Sequence, residues 1–141
     1  GVIEAGARVA AQETRNKRVG IIGTVGTVGS GIHASYLKEL DPEITVIGKA
    51  CPLFVPLVEE GWYHDPVTEE VARRYLKELQ EQEIDTLILR VRCYFGFFGL
   101  FFFGLRSICF RFIRLCILVI LCPGDHIVHL NSDRMVSAHK K

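Results

Sequence analysis

The 141 residues carry 17 Lys and Arg against 16 Asp and Glu and are 49% hydrophobic, enough chain and apolar content for one domain with a core. A net charge of +1 leaves no basic face to neutralise phosphates, which argues against nucleic acid as a partner. The near-neutral sum conceals two unlike parts: up to Leu89 there are 9 basic and 14 acidic residues, beyond it 8 and 2, and eight of the nine Phe and four of the five Cys lie beyond it.

In chain order, residues 4–16 carry a modest helix pattern, with Ala5, Val9 and Ala10 set among Glu and Arg. Val19 to Ile22 is a short apolar run that closes on Gly23 and predicts a buried strand. After the glycine-spaced stretch 23–31, Ile32, Tyr36, Leu37 and Leu40 recur at helical spacing until Asp41-Pro42 stops them. Ile44 to Ile47 predicts a second strand. The strongest helix signal starts at Asp65, an N-cap followed by Pro66 at the first helical position, with Val67, Val71, Tyr75, Leu76 and Leu79 expected along one face. Ile84 to Leu89 is almost continuously apolar, as in a strand covered on both faces. The order strand, helix, strand, helix, strand predicts an α/β fold, a partial three-layer domain built on a parallel βαβαβ core. Ligands in such sheets sit beyond the carboxyl ends of the strands, which points to Gly23 to Ser30, Lys49 to Leu53 and whatever follows Leu89.

The stretch from Gly23 to Gly31 combines glycines with Thr24, Thr27 and Ser30 at a strand-to-helix junction. Close backbone approach and free amides suit a small anion, although neither Gly-x-Gly-x-x-Gly nor Gly-Lys-Ser/Thr is present; the pattern fits a tight turn as well. Cys51, flanked by Pro52 and apolar residues, fits a small buried hydrophobe better than a nucleophile. Glu59 ends an apolar stretch near the strand mouths, where a carboxylate could tune an acid or base or simply close a solvated helix. His33 and His64 have no second ligand at metal spacing, and Cys122, His126 and His129 are too few and too loose for zinc, so no metal is expected. The polar, charged opening lacks the apolar run of a secretory signal, and Cys51 stands alone before residue 90; both predict a reducing, cytoplasmic setting and a start inside a longer protein.

GVIEAGARVA (1–10), IIGTVGTVGSG (21–31), KACPLFVPLVEEGW (49–62) and IDTLIL (84–89) together resemble consecutive segments of bacterial glutamate racemase, and the resemblance runs in order over residues 1–89. It implies the truncated second domain of a two-domain enzyme that interconverts L- and D-glutamate without a cofactor. The product would serve peptidoglycan synthesis, cell wall biogenesis and cell shape, and such enzymes are often homodimers. It further implies that Thr24 and Thr27 hold the substrate carboxylate and that Glu59 is an auxiliary carboxylate beside the catalytic pair, with Glu60 as the other register. Cys51 matches neither catalytic thiol.

The departures concern catalysis. Where the family continues from IDTLIL into Gly-Cys-Thr-His-Tyr-Pro, this chain reads Arg90-Val91-Arg92-Cys93-Tyr94-Phe95, with Val91 at the nucleophile position and Cys93 at the His position. The other catalytic Cys belongs to a domain preceding these residues. Proton exchange on both sides of one carbon needs two such thiols, so both catalytic Cys are expected to be missing and the chain inactive.

Residues 90–141 have no counterpart in the resemblance. Their apolar runs, Phe95 to Leu105 and Leu115 to Cys122, are each too short to span a bilayer and are separated by Arg106, Arg111 and Arg114, which argues against a membrane span. The simultaneous change in motif, charge and Phe/Cys usage suggests a tail translated out of frame, prone to collapse or aggregation. Two further readings stay open: a non-catalytic dicarboxylate-binding or interaction module using Thr24 and Thr27, and a peripheral membrane protein acting through the tail.

Overall fold

A computed structural model describes residues 2–62, 65–90, 117–122, 126–131 and 134–140. Helix α1 (Val2–Glu13) leads into strand β1 (Arg18–Gly23), followed by α2 (Val25–Gly29), α3 (Ile32–Leu40), β2 (Thr45–Ala50), α4 (Phe54–Glu59), α5 (Pro66–Glu81) and β3 (Thr86–Arg90). Strands β1, β2 and β3 form the expected parallel core, with Val19 to Ile22 of β1 in register with Thr86 to Leu89 of β3 on one side and Val19 opposite Val46 of β2 on the other.

The sheet does not stop there. Strand β4 (Ile117–Cys122) adds parallel to β3, and β5 (His126–Asn131) and β6 (Arg134–Lys140) continue antiparallel, giving the order β2-β1-β3-β4-β5-β6. The strands in the second part of the chain are a difference from the sequence reading. Ile117-Leu118-Val119-Ile120 is the apolar run of a strand between two others.

Alternation along the strands builds a core on each face. Val19, Ile21 and Ile88 pack with Ala7 and Ala10 of α1, Leu37 of α3 and the buried Ile44. On the opposite face Gly20 faces Leu79 of α5, Ile84 and Leu87; a Cβ there would stand 2.6 Å from Ile84 Cδ1. Helix α5 begins as expected, Asp65 accepting from the Val67 amide at 2.8 Å with Pro66 in the first turn. Its buried residues are Thr68, Ala72, Leu76 and Leu79, so the inward face is rotated from the one expected and Val67 is exposed. Thr68 tolerates burial because its hydroxyl donates to the Trp62 carbonyl at 2.5 Å.

Asp85, just before β3, ties the sheet to the α1–β1 turn. Its carboxylate accepts from Thr14 Oγ1 at 2.6 Å, the Arg15 amide at 2.7 Å, the Asn16 amide at 3.0 Å and Thr86 Oγ1 at 2.9 Å. At the end of α5, Glu83 adopts φ +57°, a left-handed cap position that favours glycine. Glu83→Gly is expected to raise the unfolding free energy by about 0.5–1 kcal/mol, the relieved Cβ strain exceeding the added unfolded-state entropy. A few degrees' rise in the thermal midpoint checks it; an unchanged or lower midpoint counts against it.

Candidate functional site

The order β2-β1-β3 places the second strand on one side of β1 and the third on the other, so the direction of winding reverses between β1 and β3. Open α/β sheets leave a crevice at such a point, beyond the carboxyl ends of the two strands. Here it receives Thr24 from the end of β1 and Arg90 from the end of β3, the region that followed Leu89 in the sequence reading.

The stretch after β1, which the sequence left between an anion loop and a tight turn, folds into the short helix α2. Thr24 is its N-cap: the Thr24 hydroxyl accepts from the Thr27 amide at 3.2 Å and lies 3.0 Å from the Thr27 hydroxyl. Both hydroxyls are thereby fixed side by side at the crevice. Ser30 closes the helix, its hydroxyl donating to the Thr27 carbonyl at 2.9 Å, and Gly31 (φ +67°) turns the chain into α3. Gly23 allows the close approach of the two walls, since a Cβ there would lie 3.2 Å from both the Arg90 carbonyl oxygen and Thr27 Cγ2.

The resulting cleft, about 320 Å³, is lined by Thr24, Thr27, Ser30, His33 and Arg90 with Ile3 at its edge. His33, from the first turn of α3, is 3% exposed, and neither of its ring nitrogens has a hydrogen-bond partner among the described residues. Burial, and after it the Arg90 charge, hold its imidazole below the usual histidine range, so it is neutral near pH 7. No acidic side chain is among the described residues that line the cleft.

Thr24 and Thr27 are thus brought together, while Glu59 is not among the residues around them. It is the exposed last residue of α4, on the segment that follows the neighbouring strand β2. Cys51 is 2% exposed, its thiol donating to the Lys49 carbonyl at 3.5 Å, and burial pushes its pKa up to about 12. It is a packed side chain with no thiolate at neutral pH, as its sequence context suggested. His64 and Cys93 fall outside the described residues, as do Cys109 and Cys116. Cys122 and His126 are paired positions of β4 and β5, with His129 opposite Val119. Among the described residues no three His, Cys, Asp or Glu side chains converge as metal ligands, and no helix is long and apolar enough to cross a membrane. Arg90 and His33 are the cleft residues that sequence reasoning left unassigned. The strand-end rule marked the position of Arg90, whereas nothing in its spacing placed His33 beside the threonines.

Comparison with known proteins agrees with the fold. No family model matches the chain. Over 89 residues it is 54% identical to the glutamate racemase of Geobacter metallireducens, a match covering 63% of this chain and 33% of that protein. The crystal structure of the Bacillus anthracis glutamate racemase isoform RacE1 superposes with a TM-score of 0.69 and 31% identity over 86% of this chain and 42% of its own. The chain contains a segment homologous to glutamate racemase. The Francisella tularensis glutamate racemase, solved in complex with D-glutamate, superposes with a TM-score of 0.63 and 29% identity over 76% of this chain and 38% of its own. The chain therefore spans about a third of the length of the curated relatives it matches. Structural likeness to the RacE1 racemase covers a wider share of the chain than the sequence match does, so it reaches past the segment that the sequence resemblance covers.

Proposed function

We propose that this chain is the glutamate-holding part of a racemase second domain, in which Thr24 and Thr27 bind the substrate carboxylate and racemisation does not proceed on these residues alone. The observation that carries the reading is the pair of hydroxyls 3.0 Å apart at the crevice between β1 and β3, within a segment homologous to glutamate racemases. One of the two O–H groups is used in their mutual bond, so a carboxylate takes the other and gains the second when the mutual bond opens, charge-assisted bonds being the stronger ones. Inversion by direct proton exchange needs a thiol on each side of the α-carbon, and Val91 occupies the sequence position of the second.

On this reading residues 1–89 are the partial racemase domain and residues 90–141 a tail translated out of frame, the boundary being tested by resequencing the locus for an interrupted frame. Glu59 is assigned the auxiliary carboxylate. The parent activity is the cofactor-independent interconversion of L- and D-glutamate in the cytoplasm for peptidoglycan, by an enzyme that pairs as a homodimer.

Titration calorimetry of the full chain with L-glutamate tests the binding half of the proposal. Thr24→Val is expected to weaken binding about tenfold, whereas Thr24→Ser retains it. Equal affinity in the Val variant removes the threonine assignment. Steady conversion of L-glutamate followed by circular dichroism, abolished by Cys93→Ala, would falsify the absence of racemisation.

A further inference from the structure

His33 stands in the first turn of α3, and its ring is 3% exposed with neither nitrogen hydrogen-bonded to a described residue. Buried polar atoms are paired as a rule, and a ring without partners stays inside as its uncharged form. It borders both the cleft and a smaller cavity of about 100 Å³ lined from α2, α3, β1 and β2. Arg90, at the end of β3, is the one charged side chain among the described residues that line either space. Helix α2 contributes the Thr24 and Thr27 hydroxyls there, and α1, β1 and β2 contribute Ile3, Ile21 and Val46. Glu4 and Arg8 of α1 are exposed and line neither space. No acid of the described lining can therefore accept an imidazolium N–H, and the guanidinium opposes a second positive charge.

We infer that His33 is a proton-operated latch: the neutral ring keeps the α2–α3 corner closed on β1 and β2, and a ring that takes up a proton leaves its pocket and frees that corner. The corner is built to open by itself. Helix α2 has five residues, Gly26 and Gly29 among them, and stands on the Thr24 cap, while α3 starts from Gly31 without a side-chain cap. Its seat on the sheet is Val28 over Gly48, where a Cβ would stand 2.8 Å from Val28 Cγ1. Thr27 borders both spaces, so the hydroxyl pair moves with the corner. Linkage fixes the sign. Burial, and after it Arg90, lower the pKa of the enclosed ring, so the opened chain binds the proton more readily. Closure is complete above the opened value of about 6.5 and is lost as pH falls from there toward the lower enclosed value.

The test follows amide hydrogen exchange, divided by the intrinsic rate, and the His33 Hε1 resonance of the full chain from about pH 7.5 to about pH 5. Helix α5, packed on the other face of the sheet, is the internal reference. Below about pH 6.5 the open population read from the α3 amides is expected to rise by up to about tenfold per pH unit while that of α5 stays constant. His33→Phe, which keeps a flat ring and removes both nitrogens, is expected to abolish the rise. The same pH dependence of α3 in the variant overturns the latch, and so does opening of α3 and α5 together. Should His33→Phe fail to fold, the Hε1 resonance decides: a midpoint below about 6.5 that coincides with the opening of α3 supports the inference, and titration of a ring whose corner stays closed overturns it. Neither readout involves L-glutamate, so the threonine reading stands or falls separately.

Discussion

Ile88→Ala is expected to destabilise the fold by about 4 kcal/mol, a large part of the roughly 5–15 kcal/mol that holds a domain folded. Ile88 is fully buried in the middle of β3, against Ala7 and Ala10 of α1 and beside Val19, Ile21, Leu37 and Ile44. The neighbours that would have to close the gap are short alanines on one helix and strand residues fixed by ladder pairing on either side, so the cavity relaxes little. Ile88→Val removes one methylene and should lose only about 1 kcal/mol. Urea unfolding provides the measurement: the midpoint falls while the slope stays constant. A loss below about 1 kcal/mol for the Ala variant would mean that β3 is not the centre of the core.

Asp85→Ala is the second large effect, about 3 kcal/mol, and its cause is polar. Four donors converge on this carboxylate from the α1–β1 turn and the start of β3, and truncation leaves them without an acceptor at once. Asp85→Asn should cost less, about 1 kcal/mol, because the amide oxygen can face the Arg15 and Asn16 amides while its NH₂ donates to the Thr14 and Thr86 hydroxyls. The pH dependence has a definite sign. Burial alone would raise the Asp85 pKa, but the hydrogen bonds from Thr14, Asn16, Arg15 and Thr86 outweigh it and hold the carboxyl below its usual value. The folded state therefore binds its proton less readily than the unfolded chain. This contribution is complete above the unfolded value of about 3.9 and is lost as pH falls through the lower folded value. Comparing unfolding of the parent and Asp85→Asn between neutral and strongly acid pH should show the acid-dependent part shrinking in the variant. Identical pH profiles would contradict it.

Much of the architecture could be read from local chemistry. The apolar runs at Val19–Ile22 and Ile84–Leu89, and the Asp65-Pro66 start of α5, each announce an element through burial or capping, and all three formed. Helix α2 was harder to see because Gly26 and Gly29 weaken a five-residue helix; it stands on the Thr24 cap, a single side-chain bond that no periodicity reports. The run at Ile117–Ile120 lies in the stretch Leu115 to Cys122, which the sequence reading weighed only as too short for a bilayer span, and whether it pairs depends on the open edge of β3, a long-range condition. The same holds for the cleft. Thr24 and Thr27 are neighbours in sequence, so their pairing was legible. His33 and Arg90 meet them only through the crossover that reverses the winding between β1 and β3.

The alignment of β3 with β1 carries a consequence of parity. Consecutive residues of a strand point to opposite sides, so the side on which the guanidinium at the end of β3 stands depends on whether the count from Thr86 is odd or even. One residue gained or lost within that strand would swing the positive charge across the sheet and empty this cleft of it, even though every strand and helix stayed in place. Two residues would return it to the same side but one pleat repeat, about 7 Å, out of step with the hydroxyls. The electrostatics of the crevice are thus written in the length of β3 as much as in its composition.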